Sequence, residues 1–116
     1  IKDNNLFMTG VHVAHDCIIG NNVILWSGNH IGHHSIIEDN CFLAGQIVVS
    51  GVTTIGQSSF IGVNSTIGHQ IKIGERNLIG ARSLITKNTK PNSVYIEKDT
   101  EKYRLDSDSF LKLTKL

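Results

Sequence analysis

The chain is short of most features that announce a function. It has two cysteines, Cys17 and Cys41, and no basic or apolar leader in the opening "IKDNNLF". Neither feature supports a secreted disulfide scaffold, and both cysteines are expected to be buried thiols. Charge of one sign is lacking as well. The 11 lysines and arginines against 10 aspartates and glutamates give a net charge of +1, without the basic excess that nucleic-acid binding draws on. No apolar run approaches the roughly 18 residues of a membrane span, so the sequence predicts a cytoplasmic protein that neither spans a membrane nor binds nucleic acid. Proline is nearly absent, and its single occurrence, Pro91, falls where the pattern described next stops.

What is present is a period. Aliphatic residues recur at every sixth position without slip, through Val13, Ile19, Leu25, Ile31, Ile37, Leu43, Val49, Ile55, Ile61, Ile67, Ile73, Ile79 and Ile85, with Ile1 and Phe7 in the same phase. This spacing cannot line one face of an α-helix, and the Asn-Gly turns of simple hairpins are missing. The residue after each aliphatic is most often glycine, as at Gly20, Gly32, Gly56 and Gly62, so the backbone passes close to a neighbour there. Four places after the aliphatic comes a small, mostly polar residue such as Cys17, Ser35, Cys41, Thr53, Ser59 or Ser65, an inward slot with little room. Short strands joined by turns satisfy all three features. Three hexads make one triangular coil, and coils stacked about 4.8 Å apart pair their strands in parallel, which is a hexapeptide-repeat parallel β-helix. The chain reads as one structural unit of the all-β class, residues 1–90 forming about five coils and residues 91–116 a C-terminal extension. In that extension Ser107 or Asp108 is placed to cap a short helix reaching Lys115, with Phe110, Leu111, Leu113 and Leu116 as its apolar face.

Winding the sequence into coils turns spacing into columns. Neighbouring residues of a strand face opposite ways, so the residue before each inward aliphatic points out. On one of the three faces those residues are Ile24, Phe42, Phe60 and Leu78. Such an apolar column predicts a partner surface and self-association, with coverage by the C-terminal tail as the alternative. At one corner a second column reads His15, His33, Gly51 and His69, and the strand leading into it carries His12 and His30. The stretch "NHIGHHS", residues 29–35, also puts His34 there. This is the one concentration of chemistry in the sequence.

With these columns drawn, the sequence resembles the left-handed β-helix acyltransferases, and within them the bacterial sugar O- and N-acetyltransferases of the sialic-acid O-acetyltransferase type. The resemblance is carried by the hexads, by "GHHSIIED" (32–39), "IGVNSTI" (61–67), "LIGARSLITK" (78–87) and the "PNSVYI" exit (91–96). It implies a left-handed coil, a homotrimer, and acetyl-CoA held in the groove between neighbouring prisms. It implies a catalytic histidine at His33, a thioester-facing backbone amide at Gly51, and CoA-contacting backbone at Gly51, Val63 and Ala81. His30, His34 and Trp26 fall where substrate is bound or the base is oriented. Three positions depart from the pattern. His34 stands where some relatives carry the acidic residue that orients the histidine, Phe42 where they carry a further histidine, and Trp26 where they carry an asparagine near the substrate. The nucleotide-binding domain usual at the N-terminus of these relatives is not expected in this chain.

The residues suit the chemistry in their own right. Acyl transfer from a thioester needs a base, a donor for the developing oxyanion and a path for the thiolate. An imidazole ordinarily titrates near 6.5 and accepts a proton at neutral pH, and a glycine amide at an uncrowded corner can approach a carbonyl oxygen. Cys17 and Cys41, in inward slots, are not placed as nucleophiles. A metalloenzyme resembling the γ-class carbonic anhydrases would need a histidine pair five residues apart. None of His12, His15, His30, His33, His34 and His69 supplies one, so no metal is expected. His12 and His15 read as solvated column members and His69 as structural. The expected function is acetyl transfer from acetyl-CoA to a nucleotide-linked sugar, on an amino group, in surface glycan biosynthesis. Sugar O-acetylation is the alternative, with a metalloenzyme or a non-catalytic scaffold behind it.

Overall fold

The computed structural model describes residues 1–114. Fifteen two-residue strands, numbered along the chain, wind into a left-handed parallel β-helix of triangular cross-section. The first face stacks β1 (Leu6–Phe7), β4 (Ile24–Leu25), β7 (Phe42–Leu43), β10 (Phe60–Ile61), β13 (Leu78–Ile79) and β15 (Val94–Tyr95). The second stacks β2 (His12–Val13), β5 (His30–Ile31), β8 (Val48–Val49), β11 (Thr66–Ile67) and β14 (Leu84–Ile85). The third stacks β3 (Ile18–Ile19), β6 (Ile36–Ile37), β9 (Thr54–Ile55) and β12 (Lys72–Ile73).

Register follows the hexad. Leu25 lies on Leu43, Leu43 on Ile61 and Ile61 on Ile79, and the phased aliphatics from Ile19 to Ile79 are fully buried. Each such side chain contributes about 2 kcal/mol by leaving water. Phe7 and Val13 are only half-buried, and Ile1, which forms no strand, is 73% exposed.

The turns explain the rest of the repeat. Three places after each phased residue through Ile79 the backbone enters the left-handed region, as at Asp16 (φ 59°), Asn22 (56°), His34 (57°), Asn40 (63°) and Asn64 (60°). Asparagine, aspartate and histidine tolerate this conformation, whereas Val52 (58°) is β-branched and strained there. The small slot one residue later reaches up to a carbonyl of the next coil. Ser35 Oγ donates to the Ser50 carbonyl (3.2 Å), Thr53 Oγ1 to that of Gly68 (2.8 Å) and Ser59 Oγ to that of Gly74 (3.1 Å). Cys17 and Cys41 do the same toward Gly32 (3.1 Å) and Gly56 (3.2 Å). Cys41 is buried as expected, but Cys17 is only half-buried.

The solenoid runs past its last regular hexad. β15 sits on β13 with Leu78 opposite Val94, a shift of 16 residues where Phe60 and Leu78 are 18 apart. In the shortened coil, side-chain oxygens replace carbonyl acceptors: Asn88 Oδ1 takes the Lys72 amide (2.8 Å) and Thr89 Oγ1 the Gly74 amide (2.9 Å). Helix α1 spans Ser107–Thr114. Its cap is Asp106, one residue before the predicted position: the Asp106 carboxylate accepts from the Ser109 amide at 2.8 Å, which is the N-cap pattern. The predicted end at Lys115, and Leu116 of the predicted apolar face, lie outside the described residues. α1 buries none of its own residues. No helix among the described residues is long and apolar enough to cross a membrane.

Candidate active site

The corner between the second and third faces carries the histidine column. Its peptides are tied from coil to coil: the His34 amide donates to the His15 carbonyl (3.1 Å), Val52 to His33 (2.8 Å) and Gln70 to Gly51 (3.1 Å). Beneath Gly51, Gly32 allows the coils to meet, since a Cβ there would fall 2.5 Å from the Gly51 nitrogen. The His33 ring therefore stands against Gly51. A Cβ on Gly51 would lie 2.7 Å from His33 Nε2, so Nε2 occupies the space that glycine leaves open. No acceptor among the described residues takes the Gly51 amide hydrogen. A proton acceptor and a free N–H donor are thus side by side on an exposed corner.

The surroundings of His33 are aromatic and polar. His15 stacks beneath it with centroids 5.5 Å apart and planes 10° from parallel, His34 meets it edge-on at 5.2 Å, and His69 tilts over it at 6.3 Å. His33 Nδ1 lies 3.0 Å from His34 Nδ1. On the far side of that ring, His34 Nε2 lies 3.4 Å from Asp16 Oδ2, which also accepts from His15 Nδ1 at 3.0 Å. The His15 hydrogen bond first, and the nearby His34 second, hold the Asp16 carboxyl below its ordinary value. His15, Asp16 and His34 also present ligand atoms within 4.8 Å of one another, close enough to share a divalent cation. His30 is on the second face, stacked on His12 at 5.1 Å.

Of the predicted cofactor residues, Gly51 stands in this cluster, whereas Val63 and Ala81 do not join it within one protomer. Val63 and Ala81 lie one above the other at the corner between the first and second faces, where Gly62 lets the coils approach: its Cβ would fall 2.5 Å from the Ala81 nitrogen. Trp26 is at that same edge, 43% exposed and stacked on Phe42 at 6.3 Å; it and Val63 both lie within 4 Å of the Cβ position of Gly45. The two edges are separated by the width of the second face, six residues or up to about 20 Å of extended chain. Asp16 was not among the residues singled out from the sequence. Its signal was there: "HD" at 15–16 stands one coil below "HH" at 33–34.

Comparison with known proteins bears on this arrangement. The model of the family described as bacterial transferase hexapeptide (six repeats) matches residues 1–33 and 52–87, more than half of the chain. The chain belongs to the bacterial transferase hexapeptide family. Among curated hexapeptide proteins it is 52% identical over 60 residues to acyl-[acyl-carrier-protein]--UDP-N-acetylglucosamine O-acyltransferase of Sinorhizobium medicae, covering 52% of this chain and 22% of that protein. The protein of the same name from Paracoccus denitrificans is 44% identical over 57 residues, covering 49% and 20%. The chain thus matches about a fifth of the length of these relatives. Among solved hexapeptide structures, a mutant of perosamine N-acetyltransferase from Caulobacter crescentus in complex with CoA and GDP-perosamine superposes with a TM-score of 0.73 at 18% identity, over 80% of this chain and 47% of that one. Serine acetyltransferase isoform 3 from Entamoeba histolytica, with cysteine, gives 0.72 at 22% identity, over 90% and 41%. At such identities the superpositions establish the shared hexapeptide fold.

Proposed function

We propose that this hexapeptide transferase chain carries an acetyl-CoA-dependent acetyltransferase site acting on a nucleotide-linked sugar, with His33 as general base. The observation that carries the reading is the pairing of His33 Nε2 with the free Gly51 amide on one exposed corner. His33 Nε2 takes the proton of the sugar amine as its nitrogen attacks the thioester carbonyl. The Gly51 amide donates to the oxyanion, a contribution of about 3 kcal/mol for one such donor. The C–S bond then breaks and the thiolate leaves as the CoA thiol with the proton from His33. No covalent enzyme intermediate is needed, in keeping with a buried Cys41.

The working unit is a homotrimer. His33 and Gly51 lie on one edge of the prism and Val63 and Ala81 on another, and the histidine corner stands open to solvent. A neighbouring prism that sets its Val63 and Ala81 edge against this corner makes a groove holding both ends of acetyl-CoA. The apolar column on the first face supplies the contact: Phe42 and Phe60 stack at 5.5 Å, and the exposed Leu6 and Val94 extend it downward and upward. Trp26, on the edge beside Val63, then faces the partner's histidines across the groove, where it and His30 contact the sugar. Acetyl-CoA and nucleotide sugars are cytoplasmic metabolites, which assigns the site to that compartment.

A second reading is favoured by the identity to the acyl-carrier-protein-dependent O-acyltransferases: O-acylation of a sugar hydroxyl, with the same base and donor. Thiol release is followed with acetyl-CoA and with acyl-carrier-protein thioesters, each against UDP-, dTDP- and GDP-linked sugars with and without a 4-amino group, in wild type and His33→Ala. Turnover with acetyl-CoA and an aminosugar, lost in His33→Ala while CoA binding persists, supports the first reading. Turnover only with the carrier-protein thioester and a hydroxyl acceptor selects the second. Full turnover in His33→Ala would remove the base from both.

A further inference from the structure

A general base works best when its far nitrogen is held by an acceptor, and among the described residues no carboxylate touches His33. We propose that Asp16 positions His33 through His34, in a chain of carboxylate, imidazole and imidazole that climbs the corner from one coil to the next, joined by an Asp16–His34 ion-pair contact and a His34–His33 hydrogen bond. This rests on His33 being the base, as argued above.

The chain follows from two contacts. Asp16 Oδ2 faces His34 Nε2 at 3.4 Å, and His34 Nδ1 faces His33 Nδ1 at 3.0 Å. Two imidazole nitrogens at that separation bind only if one carries the hydrogen. The carboxylate accepts and cannot donate, so it selects the hydrogen on His34 Nε2. His34 Nδ1 is then a bare lone pair, the hydrogen of the second link belongs to His33 Nδ1, and His33 Nε2 is left bare, facing the open side of Gly51. The acidic group therefore sets the tautomer of a histidine it does not touch. As His33 takes up the substrate proton, the chain ends the resulting positive charge on an anion.

The backbone holds the parts in line. Asp16 and His34 occupy the same corner position one coil apart, both left-handed at φ 59° and 57°, and the His34 amide bonds the His15 carbonyl between them at 3.1 Å. Asp16 is fixed from its other side by His15, whose ring is the floor under His33. Both nitrogens of His34 are engaged, so its duty is orientation rather than substrate contact. Asp16 is a positioning residue.

The test uses the intact protein. Asp16→Asn keeps the side-chain shape and a left-handed φ that asparagine tolerates. The expected result is a kcat about tenfold lower with KM for acetyl-CoA within about twofold, less than the loss in a buried triad because this corner is exposed. His34→Glu puts a carboxylate directly within reach of His33 Nδ1, and the same backbone position elsewhere accepts the long side chains Gln46, Gln70 and Arg82. In the His34→Glu background, Asp16→Asn is expected to cost nothing further. Equal losses in both backgrounds would overturn the proposal, since a merely structural Asp16 would act alike in each.

Nitrogen-15 shifts of the imidazoles give an answer that needs no turnover. Wild-type His33 is expected with hydrogen on Nδ1 and a bare Nε2, and Asp16→Asn with the opposite tautomer populated. Hydrogen on Nε2 in the wild type would sink the chain whatever the enzyme does. The expected tautomer in a protein inactive with every acyl donor would instead remove the transferase reading and leave the chain standing. Stoichiometric zinc retained on purification, and lost in Asp16→Asn, would also overturn it, because the ion would take Asp16 Oδ2 and His34 Nε2 as ligands.

Discussion

Gly51→Ala separates folding from chemistry at the proposed oxyanion donor. Its φ lies outside the left-handed region that Gly10 and Gly28 occupy, so alanine fits the backbone and stiffens the unfolded chain, a stabilisation of about 0.4–1 kcal/mol. The new methyl, however, would be 2.7 Å from His33 Nε2 and 3.0 Å from Cδ2 and Cε1. Restoring an ordinary contact near 3.5 Å moves the ring by about 0.8 Å. The ring is exposed and can move, so stability is spared. The base is displaced from its reacting position, and a misplacement of about 1 Å is worth on the order of a hundredfold in rate. The control is Gly32→Ala, whose methyl would meet only backbone: the Gly51 nitrogen at 2.5 Å, the Ser50 carbonyl carbon at 2.7 Å and the Val49 oxygen at 2.8 Å. Those coils cannot part without breaking the ladder. Thermal unfolding by circular dichroism, with thiol release on the same samples, is expected to give a Tm at or slightly above wild type and a kcat lower by about a hundredfold for Gly51→Ala. Gly32→Ala is expected to fail to fold or to lose Tm heavily. Wild-type kcat in a folded Gly51→Ala, or a loss of stability equal to that of Gly32→Ala, would refute the reasoning.

Burial pushes the Cys41 thiol up from 9.0 to about 11. The native state therefore keeps a proton that the unfolded chain gives up, so stability is flat below pH 9 and falls between 9 and 11, by on the order of 2 kcal/mol. Denaturant titrations across that range, with iodoacetamide labelling that spares Cys41 until unfolding, check it. Ser35→Ala leaves the Ser50 carbonyl without its 3.2 Å donor in a fully buried slot and is expected to cost about 1–2 kcal/mol. Ser35→Cys is expected to recover part of this, as cysteine fills the equivalent slot at Cys41; urea unfolding measures both. Phe60→Arg replaces a ring stacked 5.5 Å from that of Phe42 with a charge in the apolar column, and is expected to give a monomer by light scattering, with acyl transfer lost.

The hexad was legible because every phased residue faces the same axis, so the inward pattern needs no knowledge of distant contacts. One residue in six being aliphatic, most often followed by glycine, determined the coil, its core and the order of residues up each column. Contact up a column follows from counting, which is how His33 and Gly51 were paired from the sequence. The tertiary structure decided what depends on side-chain reach or on the ends of the stack. Cys17 is half-exposed although Cys41, in the equivalent slot, is buried. The last coil closes two residues early on the oxygens of Asn88 and Thr89, which no six-residue count anticipates, and α1 begins from Asp106 because that carboxylate reaches the Ser109 amide. Apolar side chains are also exposed on the other faces, Ile18 and Leu84 among them. The width of the second face divides Trp26, Val63 and Ala81 from His33, since an edge of the prism is fixed by the winding and not by spacing along the chain. The contact between His34 and Asp16 belongs to the same class: the column puts them one coil apart, and only the turn of two rings at a left-handed corner brings carboxylate and imidazole within 3.4 Å.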